Sequence, residues 1–177
     1  MLRRYKSDET LMLAYQRGDG KAFSVLYSRN KDGLTTYLWH SYARQDVVED
    51  IAQDTWESVI KSANQYSQKS TFKTWLYSIA RNRLIDWWRK QDNQNGPLDD
   101  HQEALVVEGH DPDARIQDLM VLVARLPQEQ KDALLLKNQG FSQLEIAEIT
   151  GSEPETVKTR IRYARDKLRV MREEECG

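Results

Sequence analysis

The fold is decided by residues 140–165, which read GFSQLEIAEITGSEPETVKTRIRYAR and contain one helix-start signal twice. Ser142 is followed three residues later by Glu145, and Ser152 is followed three residues later by Glu155. In each pair the serine can accept a hydrogen bond from a free helix amide, while the glutamate accepts one from the serine's own amide. Gly151 permits a tight turn between them. The stretch therefore predicts two capped helices joined as a helix-turn-helix.

The second of these helices carries two parallel stripes. Apolar residues recur at spacings of four, three, four and three, and basic residues one position along repeat those spacings. Because each residue turns a helix by about 100°, one face is buried and an adjacent face is cationic. The apolar stripe is Val157, Ile161, Ala164, Leu168 and Met171; the basic ridge is Lys158, Arg162, Arg165, Arg169 and Arg172.

A basic ridge of one sign favours contact with DNA, since a solvated face more often mixes charges. Lysine and arginine would contact phosphates, and residues near the helix start would reach base edges in a major groove. The candidate residues for duplex DNA are Glu155, Thr156, Lys158, Thr159, Arg160, Arg162 and Arg165.

The composition bounds the class of protein. The chain has 177 residues, 39% of them apolar and 31% charged, with a net charge of -2. This suits a soluble, helix-rich cytosolic protein of one ordinary domain or two small ones. No apolar run is long enough to span a membrane and no signal-peptide core follows the first residues, so we expect no membrane insertion. The single cysteine, Cys176, excludes an intramolecular disulfide and predicts a free surface thiol.

Residues 91–113 differ in composition from what flanks them. They contain no lysine, arginine or aromatic residue, but include Gly96, Pro97, Gly109 and Pro112. Repelling acidic side chains and turn residues predict a flexible acidic linker. All five tryptophans precede it. We therefore expect two small all-α domains with different cores, at residues 1–90 and 114–177.

Helical periodicity also extends through residues 1–90. It predicts a helix after Ser7, a second from about Lys21, a separate short helix near residues 34–42, and a fourth over residues 46–61. In the fourth helix Val48, Ile51, Thr55, Val59 and Ile60 form the expected buried stripe. Asp46, Asp50, Asp54 and Glu57, here named the acidic ridge, recur at spacings of four, four and three and so share one exposed face. This ridge is either a solvated surface or a docking surface for a basic partner.

Residues 70–90 combine aromatic and basic side chains on one helix. Phe72, Trp75, Leu76 and Ile79 follow the helical period and are expected in the core. Basic and amide side chains beside aromatics suit single-stranded nucleic acid. The polar loop at residues 64–69, here named the capture loop, is where a pocket for an extruded base could form. The candidate residues are Asn64, Tyr66 and Lys69 in the loop, and Arg81, Asn82, Arg83, Arg89 and Lys90 on the helix.

In their order and spacing, four segments resemble a bacterial RNA polymerase sigma factor. They are residues 50–56, residues 72–82 with Asp86, residues 126–130 and residues 156–160. The short length and direct linker are similar to the extracytoplasmic-function (ECF) class, which keeps only conserved regions two and four. The resemblance covers nearly the whole chain outside the linker.

The resemblance implies partners and roles. Core RNA polymerase would bind the face carrying Asp50, Gln53, Asp54 and Glu57 through the clamp helices of its largest subunit, with region four on its flap. The capture loop and the helix bearing Asn82 would hold the unpaired non-template strand of the minus-ten promoter element. The helix over residues 154–165 would read the minus-thirty-five duplex. Promoter DNA and an anti-sigma protein are the further partners implied, and no cofactor is expected.

Two other classes of protein remain as alternatives. A stand-alone helix-turn-helix repressor would need a dimer surface and a ligand or receiver domain, and the sequence indicates neither. An enzyme is not expected, because His40, His101 and His110 are dispersed and form no metal-ligand spacing with Cys176. No phosphate loop or nucleophile motif occurs either.

Overall fold

A computed structural model describes residues 7–42, 44–95 and 114–177. These residues contain α-helices and one 3₁₀ turn, and no strand, so the expected all-α fold is confirmed. None of their helices is both long and apolar enough to cross a bilayer. The helices are α1 (Asp8–Gln16), α2 (Gly20–Ser41), α3 (Gln45–Lys61), α4 (Phe72–Asn95), α5 (Ala114–Ala124), α6 (Gln128–Asn138), α7 (Gln143–Thr150) and α8 (Pro154–Cys176), with the 3₁₀ turn at Ala63–Gln65.

The helix α4 runs to Asn95, five residues into the segment predicted as a linker. The rest of that segment, residues 96–113, lies outside the described residues, and so do Gly96, Pro97, His101, Gly109, His110 and Pro112. The division into two domains therefore stays a prediction.

The prediction of a separate short helix near residues 34–42 is wrong. One continuous helix, α2, extends from Gly20 to Ser41. Gly33 in its interior carries a propensity cost of about 1 kcal/mol. Leu26, Leu34 and Leu38 are all fully buried along α2. Burial of that face outweighs the weak local signal, because tertiary packing supplies most of a helix's stability.

Helix α3 buries the predicted stripe except at its end. Val48, Ile51, Thr55 and Val59 are buried, whereas Ile60 is 47% exposed, so that part of the prediction is wrong. One residue beyond Val59 lies about 100° further around the helix, outside the buried arc.

The helix-turn-helix begins with a complete capping box. The Ser142 hydroxyl accepts a hydrogen bond from the Glu145 amide at 3.2 Å, and Glu145 Oε1 accepts one from the Ser142 amide at 3.1 Å. Gly151 follows α7 in the left-handed conformation, with φ of 63°, as its tight turn requires. The first of the two predicted helix starts is therefore confirmed.

The second predicted capping box does not form. The residue preceding α8 is Glu153, it makes no side-chain cap, and Pro154 is the first helical residue. A capping box on Ser152 would need Glu153 in helical conformation, which the ring of the next proline disfavours. Glu153 is instead extended, with ψ of 146°. The Ser152 hydroxyl is used elsewhere and accepts a hydrogen bond from Arg160 at 2.6 Å.

The two predicted domains pack against each other in this structure. Buried side chains from both parts form one cluster, with α4 packed on α7 and α2 packed on α6. Tyr77 of α4 and Phe141, just before α7, meet edge to face with centroids 4.9 Å apart. The tryptophans lie on α2, α3 and α4, and Cys176 is exposed at the end of α8.

Candidate polymerase and nucleic-acid interfaces

The acidic ridge is exposed along α3, as predicted. Asp50, Gln53, Asp54 and Glu57 all face solvent. Gln53 donates to Glu57 at 3.4 Å, and Lys61 lies 3.9 Å from the same carboxylate. Asp50 and Asp54 form no ion pair with any other described residue. The ridge therefore presents two unneutralised carboxylates to a partner.

The first acidic residue of the ridge is already paired. Arg44 Nη2 lies 2.7 Å from Asp46 Oδ2, and this hydrogen bond holds the pKa of Asp46 below its usual value. Both side chains are more than half exposed, so the pair adds little stability. Asp46 is consequently a weaker candidate for docking than Asp50 and Asp54.

The capture loop combines exposed and buried candidates. Asn64 and Lys69 are exposed, whereas Tyr66 is only 4% exposed. The Tyr66 hydroxyl donates to the Ser70 carbonyl at 3.1 Å, and its ring packs 5.1 Å from that of Trp75. Burial, with the nearby acidic residues of α1, raises the pKa of Tyr66 to about 12. In this conformation Tyr66 supports the loop from beneath and presents no free ring face for stacking.

Side chains of helix α1 hold both ends of this loop through hydrogen bonds. The sequence analysis did not predict these contacts. Gln16 Nε2 donates to the carbonyls of Ala63 and Tyr66 at 2.7 and 2.9 Å. Glu9 Oε1 accepts a hydrogen bond from the Phe72 amide, at the start of α4, at 2.9 Å. Partners 47 to 63 residues apart leave no signal in local periodicity.

The basic candidates on α4 divide by accessibility. Asn82, Arg89 and Lys90 are exposed. Arg83 is about half exposed, and its Nε and Nη2 donate to the Ser58 hydroxyl at 3.1 and 2.8 Å, which fixes it against α3. Arg81 faces the C-terminal half of the chain, with its side chain only 15% exposed.

Arg81 forms a buried ion pair with α6. Its Nε donates to Asp132 Oδ2 at 3.1 Å, and the Asp132 side chain is 1% exposed. Burial raises the pKa of Asp132, although the Arg81 charge and the hydrogen bonds from Arg81 and Gln128 act to lower it. Burial likewise lowers the pKa of the adjacent Lys131. A predicted DNA-binding residue is therefore committed to an intramolecular contact.

Three further hydrogen bonds join α4 to the segment between α6 and the first turn of α7. Lys73 Nζ donates to the Gln139 carbonyl at 3.1 Å, and the Tyr77 hydroxyl donates to Gln139 Oε1 at 3.2 Å. The Thr74 hydroxyl donates to Glu145 Oε2 at 3.0 Å, so one carboxylate serves both the α7 cap and α4. These contacts and the Arg81–Asp132 ion pair join α4 to the segment that runs from α6 into α7. We name the four contacts together the α4–α7 interface.

The reading face of α8 is open. Glu155, Thr156, Lys158, Arg162 and Arg165 are exposed, as predicted. Lys158 lies 4.0 Å from Glu155, with both side chains more than two-thirds exposed. No other described residue forms an ion pair with Arg162 or Arg165. Arg162 and Arg165 are therefore free to meet phosphates, whereas Arg169 of the ridge lies 3.5 Å from Asp166.

Two of the candidates on α8 have local structural roles. Arg160 Nη2 lies 2.9 Å from Glu129 Oε2, and its Nη1 holds the Ser152 hydroxyl. The Thr159 hydroxyl donates to the Glu155 carbonyl at 3.0 Å. Both residues line an open cleft of about 610 Å³ between the starts of α6 and α8. Arg160 therefore holds the start of α8 in place in this structure.

Within the described residues, no group of three or more histidine, cysteine or acidic side chains could hold a metal ion.

Two family models match the chain and cover both reading surfaces. Sigma-70 region 2 matches residues 26–94 and Sigma-70 region 4 matches residues 116–168. The ECF RNA polymerase sigma factor RpoE of Cereibacter sphaeroides is 32% identical over 179 residues, which cover 93% of this chain and 96% of that protein. These matches define the class as a two-region sigma protein.

Two solved structures share the fold. One is the sigma factor RpoE in complex with the anti-sigma factor NepR from Bartonella quintana, with a TM-score of 0.77 at 24% identity over 86% of this chain and 98% of that one. The other is CnrH in complex with the cytosolic domain of CnrY, with a TM-score of 0.73 at 22% identity over 96% and 99% of the two chains.

The chain belongs to the ECF RNA polymerase sigma factors. It binds core RNA polymerase and promoter DNA and directs promoter-specific initiation of transcription. The alternative of a stand-alone repressor is thereby set aside.

Proposed function

We propose that this sigma factor divides promoter recognition among three surfaces. The acidic ridge of α3 docks on the clamp helices of the largest polymerase subunit, while region 4 lies on the flap. The capture loop and α4 hold the unpaired non-template strand of the downstream element. The start of α8 reads the upstream duplex element. The observation that carries this proposal is that each surface presents exposed side chains of the required chemistry on a different helix.

Strand capture is supported by the chemistry next to the loop. Asn64 and Asn82 offer amide groups for the open edges of unpaired bases, and Lys69, Arg89 and Lys90 offer cations for the backbone. The loop leads directly into α4, so both parts can contact one strand. Tyr66 contributes by supporting the loop from the core.

The α4–α7 interface controls one part of this surface. Arg81 cannot contact DNA while its guanidinium is held by Asp132. We therefore propose that α4 separates from α6 and α7 when the strand is captured. The acidic balance of the free protein, with its net charge of -2, then suits a subunit that gains DNA affinity from the polymerase.

A single substitution tests strand capture. A promoter library transcribed with purified core polymerase first supplies a working promoter. We expect Asn82→Ala to reduce strand opening at the downstream element, read by permanganate reactivity, because a direct amide contact to an unpaired base is lost. Binding of the upstream duplex should be unchanged. Asn138→Ala, at an exposed asparagine on α6, is the matched control. Equal losses on upstream duplex alone would indicate misfolding and contradict the proposal.

We further propose that the protein is cytoplasmic, has no enzymatic activity of its own and is regulated by an anti-sigma protein. One solved structure of similar fold holds its sigma factor in complex with the anti-sigma factor NepR, and the other holds CnrH in complex with the cytosolic domain of CnrY. Affinity capture of the tagged chain in competition with core polymerase tests this regulation. The proposal fails if polymerase is the sole specific partner under every growth condition tried.

A further inference from the structure

Helix α1 lies outside residues 26–94, the segment matched by Sigma-70 region 2, yet it holds the capture loop at both ends. Gln16, its last residue, reaches the carbonyls of Ala63 and Tyr66 at 2.7 and 2.9 Å. Glu9 caps the start of α4 through the Phe72 amide at 2.9 Å. Both the entry to the loop and its exit are therefore fixed to a helix that lies outside the residues matched by the family model.

The glutamine amide suits this task because it has two N–H donors on one nitrogen. Both N–H groups of Gln16 donate to carbonyls, one at each end of the 3₁₀ turn. The Tyr66 amide also donates to the Ala63 carbonyl at 3.2 Å. Between these tied points Asn64 and Gln65 are exposed. The turn thus presents two polar side chains from a backbone held by three hydrogen bonds.

We propose that Gln16 is a positioning residue for base discrimination at the downstream element. This inference rests on the proposed role of the capture loop. Discrimination between bases needs recognition groups held to within about 0.5 Å of a fixed geometry. Electrostatic affinity for phosphates tolerates movement, because it depends on charge more than on shape. Loss of the Gln16 hydrogen bonds should therefore lower the discrimination between bases much more than the total affinity for the DNA strand.

The experiment uses the full chain assembled with core RNA polymerase. The probe is a forked DNA that lacks the upstream element and carries randomised bases in the single-stranded downstream region of its non-template strand. Selection with the wild-type holoenzyme gives a preferred sequence. The ratio of Kd values between that sequence and its single-base variants is then measured for each protein.

Three substitutions at one position separate donation from shape. Gln16→Met keeps the length but removes both donors, and Gln16→Glu keeps the shape but sets a carboxylate against two carbonyls. We expect each to lower the discrimination ratio by about tenfold, the scale of one base-recognition contact. Gln16→Lys restores a donor and should retain most of the ratio. Binding to core polymerase should be unchanged for all three.

The matched control is another glutamine that ties a backbone carbonyl. Gln143 Nε2 donates to the Pro154 carbonyl at 2.7 Å in the helix-turn-helix, far along the chain from the loop. Gln143→Met should leave discrimination on the downstream probe unchanged. A comparable loss in this variant would overturn the assignment to Gln16.

The remaining outcomes are distinct. If the wild-type holoenzyme discriminates and Gln16→Met does so equally well, the inference is wrong while strand capture stands. If Gln16→Met melts early and loses polymerase binding together with discrimination, Gln16 has a general structural role and the inference is again overturned. If the wild-type holoenzyme shows no sequence preference on the probe, strand capture itself fails, and the role of Gln16 with it.

Discussion

Helices α4 and α8 are both basic and both assigned to DNA, but the structure treats them differently. On α4, Arg81 is 15% exposed and paired with α6, and Arg83 is fixed by Ser58. On α8, Arg162 and Arg165 are exposed and form no ion pair among the described residues. The C-terminal half thus covers part of one reading surface while leaving its own open.

This difference shows that a basic pattern gives the charge of a surface but not its availability. Residues 114–172 contain eleven basic and eight acidic residues, a balance of +3; the three glutamates at residues 173–175 bring the C-terminal region to zero, and the whole chain carries -2. Packing does not prevent α8 from meeting duplex DNA, so weak binding by the free protein would be due to the acidity of the rest of the chain. For α4 the restraint is a specific buried contact.

The largest effect is expected from removing the partner of Arg81. Asp132→Ala leaves a guanidinium in the α4–α7 interface without its counter-charge, and breaking a buried pair in this way costs about 3–5 kcal/mol. Separation of the two halves relieves that cost by hydrating Arg81. We expect faster hydrogen exchange in α4 and α7 and a lower melting temperature.

Asp166→Ala is the matched control for this experiment. Asp166 lies 3.5 Å from Arg169 on α8, but both side chains are more than half exposed, so little change is expected. If Asp132→Ala exchanges as slowly as the control, the buried ion pair does not hold the halves together.

A smaller effect, on assembly instead of folding, is expected at the acidic ridge. Reversing Asp50 and Asp54 to lysine should leave helix content and melting nearly unchanged, since both side chains face solvent. If Asp50 and Asp54 meet basic groups on core polymerase, the affinity for polymerase should weaken by about tenfold or more. Co-purification of the two proteins measures this. Reversing Glu173 and Glu174 makes the same charge change on exposed residues of α8. Normal holoenzyme formation by the ridge variant would mean that the ridge is only solvated.

The smallest effect is a change of slope at α8. Replacing Lys158 and Arg162 by alanine should flatten the plot of log affinity for upstream duplex against log salt by about two phosphate contacts, each contributing roughly 0.9. Lys167, on the opposite side of the helix, is the control, and its replacement should leave the slope unchanged. Fluorescence anisotropy across a salt series measures both. An unaltered slope in the double variant would place the phosphates elsewhere.

Local signals in the sequence predicted most helices. They failed where a neighbouring residue or packing against a distant part of the chain favoured another conformation. The capping box at Ser142 formed, whereas the one at Ser152 was prevented by the proline two residues later. A separate short helix near residues 34–42 was predicted, but burial on both sides of Gly33 keeps α2 continuous. Periodicity placed the stripes of α8 correctly because they depend on one helix alone.

For the candidate sites, exposure could be predicted for residues whose role is to face solvent. Asp54, Asn82 and Arg162 are examples. The sequence could not show that Arg81 meets Asp132 or that Gln16 meets Ala63, since these partners lie 51 and 47 residues apart and each resembles a surface residue. Such contacts are fixed by the packing of whole helices, which no local pattern encodes.

The distribution of tryptophan and cysteine gives the molecule an optical reporter of its own. Tryptophans lie on α2, α3 and α4, and the sole cysteine of the chain is exposed at the far end of α8. A dye attached to Cys176 would accept energy from tryptophans that belong to the other half alone. Separation of the halves would then appear as recovered tryptophan emission, without any engineered residue. The natural sequence thus permits the opening of the α4–α7 interface to be timed in the free chain, where all the tryptophan emission is its own.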